Sequence, residues 1–204
     1  MTLDVSHSRL LVAAPLRVEV WALRPGLDGC GVMRTGMGSA RSQRAARRIL
    51  EAPAKRVAVA GLCGALTPDL APGDVVVASS LLGGDECFPT LESGSLRESL
   101  AHVGIEARVG PLLSVDHVVR GAERSQLADS GALVVDMESA WLAAGAGGRP
   151  LAVLRVVLDA PGREIVRPGV LRDLGIALRR LRSAAPALAA WAAPLQTDRS
   201  AALH

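Results

Sequence analysis

The segment Arg155-Val156-Val157-Leu158-Asp159 sets a cation and then, four residues on, an acid at the end of an apolar run. Residues an even number apart on a strand face the same way, so the two side chains are expected to share a face. A carboxyl group at the mouth of an apolar strand is expected to hold its proton more tightly than in water, which makes it usable as a general acid. A second acid follows another apolar run in Val135-Asp136-Met137-Glu138-Ser139-Ala140. Burying a carboxylate there is costly unless it binds something. Glu138 has acceptors enough for two hydroxyls, which suits the vicinal diol of a ribose. It would serve equally as an acid at a helix N-terminus, favoured by the helix dipole.

Glycines mark two further places. Gly36-Met37-Gly38-Ser39 lies between a strand and a helix, where backbone N–H groups can approach an anion or a sugar. Arg41 occupies the third glycine position of a dinucleotide fingerprint, so the alternative is a simple tight turn. Gly61-Leu62-Cys63-Gly64-Ala65, followed by Pro72-Gly73-Asp74, places small residues at a strand end, where open α/β sheets bind ligands. Cys63 has no histidine near it in sequence and reads as a small wall residue of a pocket.

These residues need elements to position them. Strand-length apolar runs occur at Leu10 to Ala14, Cys30 to Thr35, Arg56 to Gly61, Asp74 to Ser79, Ala107 to Val115, Ala132 to Val135 and Leu151 to Leu158. Helical periodicity covers Arg41 to Leu50, Leu96 to His102 and Glu138 to Ala146. The alternation predicts a three-layer α/β/α single domain around a mixed, largely parallel sheet. A long Arg-rich amphipathic helix is expected from Leu171 to Ala190, kinked or broken at Pro186. Its leucines (Leu171, Leu174, Leu178, Leu181, Leu188) fit packing on the sheet, or, with Trp191, contact with a membrane surface. Residues 1–192 are read as the catalytic domain and 193–204 as a flexible tail.

Composition narrows the classes. The 204 residues are half hydrophobic and a fifth charged, enough for a sizeable core. The net charge is only +3, aromatics are 2% and tyrosine is absent, which argues against a nucleic-acid-binding module. Lys55 is the single lysine. Cys30, Cys63 and Cys87 lack CxxC spacing, and His7, His102, His117 and His204 are scattered, so neither a disulfide framework nor a metal site is expected. Without a recognisable signal peptide or membrane span, a cytoplasmic protein is expected.

The order of the motifs resembles the nucleoside phosphorylase and nucleosidase superfamily, in the branch of methylthioadenosine/S-adenosylhomocysteine nucleosidases. The resemblance covers Leu10 to about Leu181. It rests on Glu19-Val20 after the first strand, Thr35-Gly36-Met37-Gly38, Gly61-Leu62-Cys63-Gly64-Ala65, Val135-Asp136-Met137-Glu138, and the end of the Arg155–Asp159 strand. Within the superfamily, Val135 to Ser139, Leu154 to Val157 and the Arg-rich final helix are most similar to the hopanoid-associated phosphorylase group, linked to removal of adenine from adenosylhopane.

That resemblance implies a phosphorylase/hydrolase-like fold and cleavage of an N-glycosidic bond. Asp159 would protonate the leaving purine at N7. Glu19 would orient or deprotonate the attacking water, with Arg155 holding it. Glu138 would bind the ribose hydroxyls and Met137 would pack beneath the sugar, while Val118 and Val119 would wall the base. Gly36, Gly38, Gly61, Leu62, Cys63 and Gly64 would complete the binding site. No cofactor is implied. A homodimer or higher homo-oligomer is, and so is a small-molecule nucleoside substrate, with a lipid-linked one and peripheral membrane contact as the finer reading.

Departures bear on the reaction. Leu62 and Leu158 stand where relatives often carry small or hydroxyl side chains, and no aromatic residue stacks on the base in Val115-Asp116-His117-Val118-Val119. Val59 and Leu62 occupy positions where phosphorolytic relatives bind phosphate, leaving Arg17 as the remaining anion ligand. Hydrolysis is therefore expected over phosphorolysis. A phosphorylase of the same fold and a catalytically silent nucleoside-binding protein are the alternatives.

Overall fold

A computed structural model of the chain describes residues 9–83, 86–89, 92–163 and 168–193, with only the backbone of 86–89. Residues 194–204 of the expected tail, His7, His204 and the side chain of Cys87 lie outside the described set. The elements in chain order are β1 (Leu10–Ala14), α1 (Arg17–Leu23), β2 (Gly31–Arg34), α2 (Ser39–Glu51), β3 (Arg56–Ala65), β4 (Val75–Gly83), β5 (Glu86–Pro89), α3 (Ser93–His102), β6 (Ala107–Ser114), α4 (Ala122–Ala128), β7 (Val134–Asp136), α5 (Ser139–Ala143), β8 (Leu151–Asp159) and α6 (Val170–Trp191).

The strands form one mixed sheet ordered β2-β1-β3-β7-β6-β4-β5, with β8 pairing both β3 and β4. Pairings of β1 with β2 and β3, of β3 with β8, and of β6 with β4 and β7 are parallel. Those of β3 with β7, and of β4 with β5 and β8, are antiparallel. Following β3, β7, β6, β4 and β8 returns to β3, so this part of the sheet closes on itself instead of lying open.

Alternate residues of the central strands feed two apolar layers, as the two-residue repeat of a strand requires. Leu10, Val12, Ala58 and Ala60 pack with Val20 and Leu23 of α1, Leu96 and Leu100 of α3, and Leu181 and Leu188 of α6. Leu11, Ala13, Val57 and Val59 pack on the other side with Ala45 and Ile49 of α2 and Leu142 of α5. This is the expected three-layer α/β/α arrangement.

Five features differ from the sequence reading, the first being β5 (Glu86–Pro89), a strand that the apolar runs did not mark. α1 and α4 are helices that periodicity over seven residues did not distinguish. β3 continues through Gly61 to Ala65, so the small residues lie inside the strand and not in a loop beyond it. α6 runs unbroken across Pro186, whose ring packs so closely on Gly26 that a Cβ there would lie 2.7 Å from Pro186 Cδ. Leu171 is 77% exposed, whereas Trp191 is buried beneath the Arg56 guanidinium, 5.2 Å from the ring centroid. The apolar face of α6 and Trp191 are thus occupied by the core and are not offered to a membrane. Among the described residues no helix is long and apolar enough to span one.

Candidate active site

A cavity of about 160 Å³ opens among the ends of β3, β7 and β8, the β1–α1 turn and the 117–119 segment. Its wall is mostly apolar, from Leu16, Met37, Leu62, Val118, Val119 and Leu158, and Glu19, Glu138 and Asp159 converge on it. A few polar groups in an apolar concavity are the usual pattern of a small-molecule site.

Glu19 sits one turn into α1 and is 1% exposed. Its Oε2 accepts from Leu16 N at 2.6 Å, which closes the helix N-terminus back on the preceding backbone. Its Oε1 accepts from Leu62 N at 2.8 Å, across to β3. Burial pushes the Glu19 carboxyl above the ordinary carboxylate range, against the pull of Arg155 and of the two N–H groups.

Arg155 is completely buried behind this wall. Its Nη2 lies 2.6 Å from Asp136 Oδ2 and 3.6 Å from Glu138 Oε2, and donates to Ser139 Oγ at 2.9 Å. Burial works against this cation, but Asp136, Glu138 and Glu19 outweigh it and raise its pKa. Gly61 makes room for the cluster: a Cβ there would stand 2.6 Å from Arg155 Nη1 and 2.7 Å from Glu19 Oε1. Asp136 anchors the other side. Its Oδ1 accepts from Ser114 Oγ at 2.6 Å and from Glu138 N at 3.1 Å, and its carboxylate also takes the Ser139 N–H and hydroxyl.

Glu138 occupies the N-cap position of α5 without a capping hydrogen bond from its side chain, and is 4% exposed. Gly38 N, at the start of α2, donates to Glu138 Oε1 at 3.1 Å. The anion that meets the glycine turn is therefore a side chain of the protein itself. Gly36 and Gly38 have φ of 85° and 91°, a region open chiefly to glycine. Burial, opposed by Arg155 and reinforced by Asp136, pushes the Glu138 carboxyl up to about 7.

Asp159 ends β8. Pairing with β3 slips here: Cys63 opposes Val157, but Gly64 opposes Asp159, so Leu158 is an extra residue on β8. Such a bulge re-aims the side chains that follow it. Leu158 and Asp159, neighbours in sequence, consequently both line the cavity. The expected shared face of Arg155 and Asp159 is not what forms: Arg155 joins Asp136, Glu138 and Ser139, whereas Asp159 pairs with Arg124. Asp159 is thus not the uncompensated acid in apolar surroundings that the sequence suggests. Its partner Arg124, on α4, is 2% exposed. Arg124 also donates through Nη1 to Ala65 O at 2.5 Å and through Nη2 to Val119 O at 3.3 Å.

Of the residues named from sequence, Glu19, Leu62, Cys63, Gly64, Val118, Val119, Met137, Glu138 and Asp159 line the cavity. Arg155, Gly61 and Gly38 lie behind it in contact with its carboxylates, and Gly36 shapes the turn below. Burial pushes the Cys63 thiol far up, and it stands in the cavity wall. Arg17 is exposed and stacks over Trp21, 5.8 Å from the ring centroid, and does not line the cavity. Val59 is fully buried in the core. Arg124 and His117 also line the cavity, and Asp136 organises it, none of them singled out from sequence. His117 is bracketed by Asp116 Oδ1 at 2.8 Å and Glu123 Oε1 at 2.6 Å, which raise its pKa. Among the described residues no cluster of three or more His, Cys, Asp or Glu is placed to hold a metal ion.

Residues 17–93 match the sequence model of the phosphorylase superfamily. No curated protein matches the chain. Solved structures do. The methylthioadenosine/S-adenosylhomocysteine nucleosidase of Campylobacter jejuni superimposes with a TM-score of 0.79 at 16% identity, over 91% of this chain and 98% of that one. A mutant of the Helicobacter pylori enzyme, holding 5′-methylthioadenosine in its active site, gives 0.75 at 19%, over 91% and 98%. The futalosine hydrolase of Helicobacter pylori gives 0.73 at 19%, over 91% and 97%. The chain has the fold of these nucleosidases, and the superfamily's sequence pattern spans the stretch that carries Glu19, both glycine segments, β4 and β5.

Proposed function

We propose that the protein hydrolyses the N-glycosidic bond of a purine nucleoside and releases the base. The observation that carries this reading is the convergence of Glu19, Glu138 and Asp159 on one apolar cavity, with Arg155 behind them. Cleavage passes through an oxocarbenium-like sugar, as in glycoside hydrolysis. Asp159, once protonated, delivers its proton to the purine N7 as the bond to the anomeric carbon breaks toward the base. Glu19 orients the attacking water and takes its proton. Glu138 accepts the ribose hydroxyls, Met137 packs against the sugar, and Val118 and Val119 face the base. Proton transfer of this kind commonly contributes about 10²–10⁴-fold.

Water, not phosphate, is the proposed nucleophile. Val59 lies in the core, Leu62 offers the cavity only carbon, and Arg17 is turned to Trp21. For the substrate we propose an adenosyl compound with a large apolar 5′ substituent, of which adenosylhopane is the specific candidate. Leu16, Met37, Leu62, Val118 and Leu158 favour such a group, Met37 and Val118 being 46% and 43% exposed. Buried methylenes contribute about 0.8 kcal/mol each.

The test is release of adenine from methylthioadenosine, S-adenosylhomocysteine and micellar adenosylhopane in phosphate-free buffer. The expected result is free sugar as product and a kcat/KM at least tenfold higher for the lipid. A sugar 1-phosphate, with a rate that saturates in phosphate, would make the enzyme a phosphorylase. Equal turnover of all three would remove the lipid assignment and keep the nucleosidase.

A further inference from the structure

Arg124 joins three pieces of the cavity that come from distant parts of the chain. From α4 its guanidinium reaches Ala65 O at the end of β3, Val119 O in the segment that walls the cavity, and the Asp159 carboxylate at the end of β8. It is 2% exposed, and Asp159 is 8% exposed. Its planar guanidinium acts here as a cation with directed donors. It pairs with Asp159 through Oδ2, while Oδ1 lies by Gly64, where a Cβ would be 3.1 Å away. Gly64 is itself a wall residue.

Resting on the nucleosidase reading above, we propose that Arg124 is a positioning residue for departure of the base: it aims Asp159 into the cavity, fixes the Val119 wall beside it, and receives the carboxylate left when the proton has moved. In that step the O–H bond of Asp159 breaks, an N–H bond forms at the purine N7, and the electron pair of the glycosidic bond leaves with the base. The new carboxylate is already paired with Arg124, which favours transfer. Ala65, Val119 and Asp159 are held by one planar fork, so all three keep their relative positions during the reaction.

The test compares two ribosides that differ in what their leaving groups need. A purine nucleoside requires a proton at N7, whereas p-nitrophenyl β-ribofuranoside expels p-nitrophenolate, a stable anion. Arg124→Met is expected to lower the ratio of purine to nitrophenyl turnover by at least tenfold, as is Asp159→Asn. Glu19→Gln, acting on the water, should slow both substrates together. Arg124→Lys retains the charge but not the fork, and should restore part of the ratio. Because removing the buried Arg124 charge from beside Asp159 can itself destabilise the chain, Asp159→Asn/Arg124→Met is made as well. If Arg124 works through Asp159, the pair should lose no more purine turnover than Asp159→Asn alone. An equal loss of both substrates in Arg124→Met, or additive losses in the pair, would make Arg124 purely structural. A wild-type protein inert toward both ribosides would instead overturn the nucleosidase reading, and this proposal with it.

Discussion

Gly38 and Glu138 stand one hundred residues apart in the chain, yet the glycine N–H donates to Glu138 Oε1 at 3.1 Å. The carboxylate is therefore held from the N-terminus of α2 before any ligand arrives. It also lies 3.6 Å from Arg155, on the edge of the buried cluster that Asp136 anchors. The acid proposed to read the ribose is thus fixed in place by the two features, glycine turn and buried arginine, that flank it.

Glu138 sets a pH dependence. Burial lifts its carboxyl from 4.5 to about 7, so the folded protein favours the neutral form. An acid raised in this way contributes stability that is complete below 4.5 and lost as pH rises through about 7. Substrate binding needs the ionised form, so kcat/KM for ribosides should rise over the same interval. Glu138→Gln should abolish that rise and melt less pH-sensitively between pH 5 and 8. It should weaken ribosides more than 2′-deoxy analogues, because a hydrogen bond to a charged group is worth about 1.5–3 kcal/mol. Equal loss on both sugars would assign Glu138 to the scaffold alone.

Gly61→Ala should damage the site from behind its wall. The new Cβ would sit 2.6 Å from Arg155 Nη1 and 2.7 Å from Glu19 Oε1, so both buried groups must shift from their partners. We expect a stability loss of about 1–3 kcal/mol, typical of overpacking, with kcat reduced more than KM. Thermal melting and steady-state kinetics on one preparation measure both. An alanine variant as stable and active as the parent would show that the cluster relaxes.

Glu19 separates chemistry from folding. Glu19→Ala removes an acceptor for Leu16 N and Leu62 N and leaves Arg155 with one fewer counter-charge. Breaking a buried ionic cluster in this way costs about 3–5 kcal/mol. Glu19→Gln retains most of the volume and one oxygen, so it should melt closer to the parent while turnover falls at least 10²-fold. Denaturant unfolding alongside adenine release distinguishes the two effects. Substantial turnover by the glutamine variant would mean that the carboxylate does not handle the water.

Asp159→Asn should bind purine nucleoside but not cleave it. The amide is nearly isosteric and has no carboxylic proton to give. Because the buried Arg124 loses its counter-ion, a lower melting temperature is expected as well. Retention of most of kcat by a folded variant would move the general-acid role elsewhere.

Local sequence was enough to place most of the sheet. Runs such as Leu151 to Leu158 are too apolar and too short for anything but a buried strand, and their alternation with helices implies the layers. It was also enough to mark Glu138 and Asp159 at the ends of apolar runs, whereas Glu19 was named only through the resemblance to the nucleosidase superfamily. α1 and α4 escaped notice because seven residues hold barely two turns of helical period, too few to stand out from a strand-like run. What each carboxylate faces was decided only in three dimensions. One extra residue at Leu158 turns Asp159 away from the face of Arg155, and pattern alone assumes no bulge. The partners then come from far along the chain: Arg124 to Asp159 across 35 residues, Ser114 to Asp136 across 22, Glu19 to Leu62 across 43. An arginine in a short polar helix carries no local mark of burial. Arg124 is buried because packing brings a carboxylate and two backbone carbonyls to the same point, and only the closed sheet creates that point.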